Sequence, residues 1–87
     1  MTQITTSSGF ACEVNEAALD DMELLELIEA LEERESVSAY RKIIDKILPG
    51  ERQRLYEHVR TEDGRVPISA VSAEIADIFR LIKSGKK

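Results

Sequence analysis

Between residues 68 and 82, apolar side chains recur as Ile68, Val71, Ile75, Ile78, Phe79 and Ile82. That spacing puts all six on one side of a 3.6-residue helix and splits them between both faces of a strand. A stripe this regular predicts a helix over about Ser69 to Lys83, with Ser69 as its cap. Arg80 and Lys83 fall in its last turns, where cations suit the negative end of the helix dipole. Ser84–Gly85 ends the helix, and Lys86–Lys87 is a frayed basic tail. A helix of this kind is stable only when other elements cover its stripe.

Three earlier stretches supply that cover. Asp20 to Arg34 (DDMELLELIEALEER) places Leu24, Leu27, Ile28 and Leu31 on one helical side. Leu25 widens the stripe, and Glu23, Glu26, Glu29 and Glu33 lie opposite. Asp20 is the expected N-cap, with Glu23 closing a capping box and Leu19 and Leu24 placed as a hydrophobic staple. A second helix, about Val37 to Leu48 with Ser36 as cap, shows Val37, Tyr40, Ile44, Ile47 and Leu48 on one face, flanked by Ile43. Pro49–Gly50 stops it, because proline disfavours helix in the residue before it. A third helix, about Glu51 to Arg60, offers Leu55, Tyr56 and Val59. Thr61 to Arg65 is a turn, since Asp tolerates and Gly prefers positive φ.

The N-terminal part reads differently. Residues 1–9 are rich in Thr, Ser and Gly, lack an apolar period and are expected to form a flexible end. Phe10, Cys12 and Val14 alternate, so a short extended segment laid on the core is expected. Asn15 to Leu19 forms a short helical turn. The expected fold is all-α: one helical domain over residues 10–84, of about four helices with that extended segment across them, and a basic tail at 85–87. Its core draws on Leu24, Leu27, Ile28, Leu31, Tyr40, Ile44, Ile47, Leu48, Leu55, Val59, Val71, Ile75, Ile78 and Phe79.

Charge is segregated. Net charge is −5 over 87 residues, yet residues 13–35 hold ten acids and one base, whereas the remainder holds eleven bases and seven acids. The acidic segment repels phosphates and argues against free nucleic acid as the main ligand. It favours a basic partner surface, or head-to-tail contact between copies. Glu23, Glu26, Glu29 and Glu33 are therefore the candidate partner-binding residues. Tyr40 to Arg60 has the outline of a helix-turn-helix, but its second helix also carries Glu51 and Glu57.

Catalytic, cofactor-binding and metal-binding residues are expected to be absent. The sequence has no phosphate-cradling Gly-rich loop, no zinc-spaced Cys/His cluster and no G-x-S-x-G elbow. His58 has no Ser, Cys or carboxylate constellation beside it in sequence. The single cysteine, Cys12, reads as a small buried hydrophobe and excludes an intramolecular disulfide. No signal peptide and no membrane-length apolar run is visible, so a cytoplasmic protein is expected.

In order, the chain shows FACEV, the acidic DDMELLELIEAL, the basic YRKIIDKIL, then LPGERQRLYEHVR and EDGRVPISAVSAEIADIF. From Phe10 to Phe79 it resembles the short tail assembly chaperones of long-tailed phages and prophages, particularly those of Gram-positive hosts. Leu48 to Pro67 carries most of the likeness. The resemblance implies a small α-helical protein that binds the tape-measure protein, keeps it soluble and helps recruit major tail subunits. It implies action in the host bacterial cytoplasm, absence from the mature virion, and in many such phages a minor form extended by a −1 ribosomal frameshift. Ser84–Gly85–Lys86–Lys87 is encodable by a slippery run of G then A. The alternative expectation is an acidic adaptor or DNA mimic that inhibits a host DNA-binding protein.

Overall fold

The computed structural model describes residues 2–34 and 36–84. Two strands, β1 (Thr2–Thr5) and β2 (Ala11–Val14), precede a 3₁₀ turn (Glu16–Asp20) and four helices, α1 (Met22–Glu33), α2 (Val37–Ile47), α3 (Arg52–Val59) and α4 (Ile68–Ser84). The fold is thus mostly helical, and the all-α expectation is corrected by a short two-stranded sheet.

The correction lies in the first residues. Thr2–Thr5 is not an unstructured end: it pairs antiparallel with β2, with Ile4 opposite Cys12 and Thr2 opposite Val14. Its one apolar residue gives no periodic signal. The usable signal was composition, since β-branched Thr, Ile and Thr suit a pleated strand. The connecting turn closes through Thr6 N–H to Phe10 C=O at 2.9 Å and Gly9 N–H to Thr6 C=O at 2.9 Å. Gly9 sits at φ 94°, a conformation that favours glycine. The expected alternation in the next segment is present, with Phe10, Cys12 and Val14 all buried.

Helix boundaries follow their caps. At α1 the cap is Asp21, not Asp20: its Oδ1 accepts the Glu23 N–H at 2.9 Å. Asp20 is unavailable because it closes the preceding 3₁₀ turn. With the cap shifted by one, Glu23 no longer stands three residues beyond it, and the expected capping box is not formed. Ser36 caps α2 as expected, its Oγ accepting Ala39 N–H at 3.2 Å. Ser69 does not cap α4. The helix begins one residue earlier, and Pro67 C=O accepts the Val71 N–H at 3.1 Å. The tail at 85–87 lies outside the described residues.

The core joins β2 to the helices. Phe10, Cys12, Val14, Leu24, Ile43, Ile44, Ile47, Leu48, Leu55, Val71, Ile75, Ile78 and Ile82 form one buried cluster, with Ala18 at its margin. Leu27, Ile28, Leu31, Tyr40, Val59 and Phe79, all expected in the core, are only partly buried against it. The reason is clearest for α1, which packs chiefly on α2 and buries only Leu24 completely. The hairpin is fastened to the helices by Glu13 N–H to Glu51 Oε2 at 3.1 Å, Asn15 N–H to Ile47 C=O at 2.8 Å and Arg54 to Ala11 C=O at 2.8 Å.

Candidate functional site

Two surfaces stand out, on different sides of α2. The first is the outer face of α1. At 100° per residue, Glu26, Glu29 and Glu33 fall within about 60° of one another, around the direction of Met22. All three are exposed, and among the described residues none has an ion-pair or hydrogen-bond partner. Glu23 is set apart. It turns toward α2, where its carboxylate lies 3.8 Å from Lys46 Nζ. Of the four predicted residues, the structure therefore groups three and separates one. Between them the face also bares apolar surface: Met22 is 68% exposed and Leu25 53%.

The second surface is a groove of about 430 Å³ lined by Ser36, Val37, Tyr40, Tyr56, Val66, Ile68 and Val71. Tyr40 Oη and Ser72 Oγ, 3.1 Å apart, join α2 to α4 behind it. Beyond that joint the first turns of both helices stay open, leaving Val37 67% and Ile68 54% exposed. Both residues begin apolar stripes read from sequence, and neither was among the expected core residues. Periodicity identifies the side of a helix that is covered. It does not say how far along the helix the cover extends. Arg41 stands one turn beyond Val37, Arg60 one turn beyond Tyr56, and Arg65 directly before Val66. Arg60 pairs with Glu57 and Arg65 with Asp63, both on the surface, and Arg41 has no ion pair among the described residues.

A polar cluster that sequence reasoning missed lies under the hairpin turn. Folding brings Ser8 and Glu74 to His58. Ser8 Oγ donates to Glu74 Oε2 at 2.5 Å and stands 2.9 Å from His58 Nε2 and 3.2 Å from Thr6 Oγ1. With that proton directed at the carboxylate, the contact with His58 is completed by the tautomer that donates from Nε2 to Ser8. A nucleophilic triad needs the reverse: the imidazole accepting from the serine, with the acid on the other ring nitrogen. The cluster therefore has the chemistry of a structural clasp. Ser7 N–H extends it by donating to Asp77 Oδ2 at 2.7 Å, and Arg54 sits over the Phe10 ring at 5.1 Å. Glu74 is 7% exposed, and its Oε1 has no partner among the described residues. Burial pushes the Cys12 thiol up, against the pull of Arg54 and with the help of Glu74, so a reactive thiolate is disfavoured.

The arginines of α3 are held within the fold. Arg52 lies 3.6 Å from Asp45, and Arg54 pairs with Glu51. At the helix end, Arg60 also reaches Gly64 C=O at 2.9 Å. Among the described residues no helix is long and apolar enough to cross a membrane, and no group of three His, Cys, Asp or Glu side chains is arranged to hold a metal ion. Comparisons with protein-family models, with curated proteins and with solved structures return no match to this chain.

Proposed function

We propose that this protein is a non-enzymatic chaperone of phage tail assembly. In this reading it binds the tape-measure protein and helps recruit major tail subunits in the host bacterial cytoplasm, and it is left out of the mature virion. The observation that carries the binding role is the pairing, on one small domain, of an open apolar groove with an unpartnered acidic helix face. A long helical client needs both: somewhere to bury apolar side chains, and charge that keeps the complex in solution. The resemblance over Phe10 to Phe79 supplies the identity of the client. The internal pairing of the α3 arginines, and the Ser8 proton held by Glu74, favour a protein-binding role over DNA binding or hydrolysis.

The test is co-expression with the long helical protein encoded beside it. The expected result is a soluble complex, weakened several-fold by the double substitution Glu26→Lys/Glu29→Lys. Intact-mass measurement of the product of the native gene with its downstream DNA adds a second readout, because a minor species extended in a shifted frame belongs to this class of protein. A chain that ignores the helical protein and instead captures a host nuclease, releasing it in salt, would replace this reading with the acidic-mimic one.

A further inference from the structure

The two strands of the hairpin have different outer edges. Thr6 N–H donates to Phe10 C=O at 2.9 Å, so these two residues form a hydrogen-bonded pair. In an antiparallel ladder such pairs alternate with non-bonded ones. The next bonded pairs are therefore Ile4 with Cys12 and Thr2 with Val14. The main-chain groups of Gln3 and Thr5 on β1, and of Ala11 and Glu13 on β2, point away from the hairpin. On β2 the helices take these groups up. Glu51 accepts the Glu13 N–H, Arg54 donates to Ala11 C=O, and Ile47 C=O accepts the Asn15 N–H just beyond the strand. On β1 nothing does: among the described residues, the N–H and C=O groups of Gln3 and Thr5 have no partner. The strand also lacks the usual guards of a free edge. It contains no proline, no lysine or other charge, and no bulge.

We propose that β1 pairs antiparallel with β1 of a second copy, about a two-fold axis at Ile4. The spacing of the free groups fits this occupant. Gln3 and Thr5 stand one residue to either side of Ile4, so in this register Gln3 of each copy faces Thr5 of the other and exchanges both main-chain hydrogen bonds with it. No outward group of Gln3 or Thr5 is left over. Ile4 meets its own copy as the central non-bonded pair, where opposed side chains approach most closely. Ile4 is partly buried against the core, on the opposite side of the strand from Gln3 and Thr5, so the contact joins the apolar margins of two domains. With no charge on the strand, like meets like without repulsion. A lone strand added to β1 would bring a second bare edge with it, whereas a second copy brings an outer edge that its helices already cover. The product is a sheet in the order β2–β1–β1–β2. Its contact is isologous, and assembly stops at the dimer. A strand this short makes a small interface, so the dimer is weak and depends on concentration. It needs no client and is independent of the tail-assembly reading.

The experiment is light scattering coupled to size exclusion on the purified protein over a broad concentration range. The native protein is expected to rise from monomer mass to twice that mass and no further, in high salt as in low. Gln3→Pro removes an outward N–H while leaving the ladder between β1 and β2 intact, and is expected to be monomeric with an unchanged circular dichroism spectrum. A second set of variants tests the register without altering the backbone. Gln3→Lys/Thr5→Lys and Gln3→Glu/Thr5→Glu each set like charges opposite one another across the axis, and each is expected to be monomeric alone. Mixed in equal amounts, they should regain the doubled mass. A native protein that stays monomeric at every concentration overturns the proposal, as does one that grows past the dimer or comes apart in salt. So does a folded Gln3→Pro that still dimerises, or a charge-variant mixture that fails to double.

Discussion

Lys46 Nζ lies 2.8 Å from Asp21 Oδ2, while the other oxygen of the same carboxylate accepts the Glu23 N–H at 2.9 Å. One side chain thus closes the start of α1 and ties that start to the last turn of α2. The two roles separate by substitution. Asp21→Asn keeps a capping oxygen and loses the ion pair, whereas Asp21→Ala loses both. Thermal denaturation should show the Ala variant lowered by about 5 °C and the Asn variant by clearly less, as expected for a cap in a domain of this size. Equal losses would place the stabilisation in the ion pair instead.

Acid should weaken the fold through two aspartates. The Lys46 ammonium, then the Glu23 amide, hold the Asp21 carboxyl below its usual value. The Ser7 amide, then Arg80, do the same for Asp77. In the unfolded chain both titrate near about 3.9. The folded state therefore binds fewer protons in that region, and the stabilisation is complete above about pH 4 and lost as pH falls through the depressed folded values. Lys46, raised chiefly by its hydrogen bond to Asp21, loses its contribution only above about pH 10.4. Urea midpoints measured on the acid side should change less with pH in Asp77→Asn than in the native chain.

The loose seating of α1 should be measurable as a difference between leucines. Leu55 is fully buried, so Leu55→Ala is expected to cost about 2–4 kcal/mol. Leu31 is only half-buried, and Leu31→Ala should cost roughly 1 kcal/mol, because less apolar surface returns to water. Native-state hydrogen exchange should run in the same order, with α1 amides opening more readily than those of α2. Comparable losses at the two leucines would show α1 to be as firmly held as the central helices.

Ser8 reaches Glu74 from the hairpin turn. Ser8→Ala removes the only hydrogen bond described for the buried Glu74 carboxyl, leaving two oxygens unpaired where one was. The expected cost is about 1–3 kcal/mol by chemical denaturation. Ser7→Ala is the control: its backbone N–H still donates to Asp77, so it should be nearly neutral.

Much of the helical architecture was legible in the sequence because helices announce themselves locally. Ser36 as a cap, Pro49–Gly50 as a stop and Ile75 and Ile78 as core follow from spacing and backbone chemistry over a few residues. What was not legible depends on partners far along the chain. β1 exists because Cys12 and Val14 lie opposite it, and Thr2–Thr5 alone shows only one apolar residue. Asp20 and Asp21 are chemically equal as caps until the 3₁₀ turn takes one of them. The acidic face was readable, but the turn of Glu23 toward Lys46 was not. The groove was hidden because Val37 and Ile68 continue stripes that are buried elsewhere. Ser8 and His58 meet across fifty residues, a distance at which no spacing rule operates.

The hydrogen bond from Ser7 to Asp77 spans 70 residues. The hairpin precedes all four helices along these residues, yet the surface that receives its turn belongs to α4. Until α4 has been made, Ser8 has no Glu74 to donate to, and the stripe of α4 is missing from the cluster that covers Phe10 and Val14. A two-stranded hairpin of this length is at best marginally stable without such support. Contacts of such long sequence separation are slow to form, so completion of the fold waits on the meeting of the hairpin with α4. A chain lacking α4 would keep the ties of the hairpin to Ile47 and Arg54 but leave the shared core without Val71, Ile75, Ile78 and Ile82.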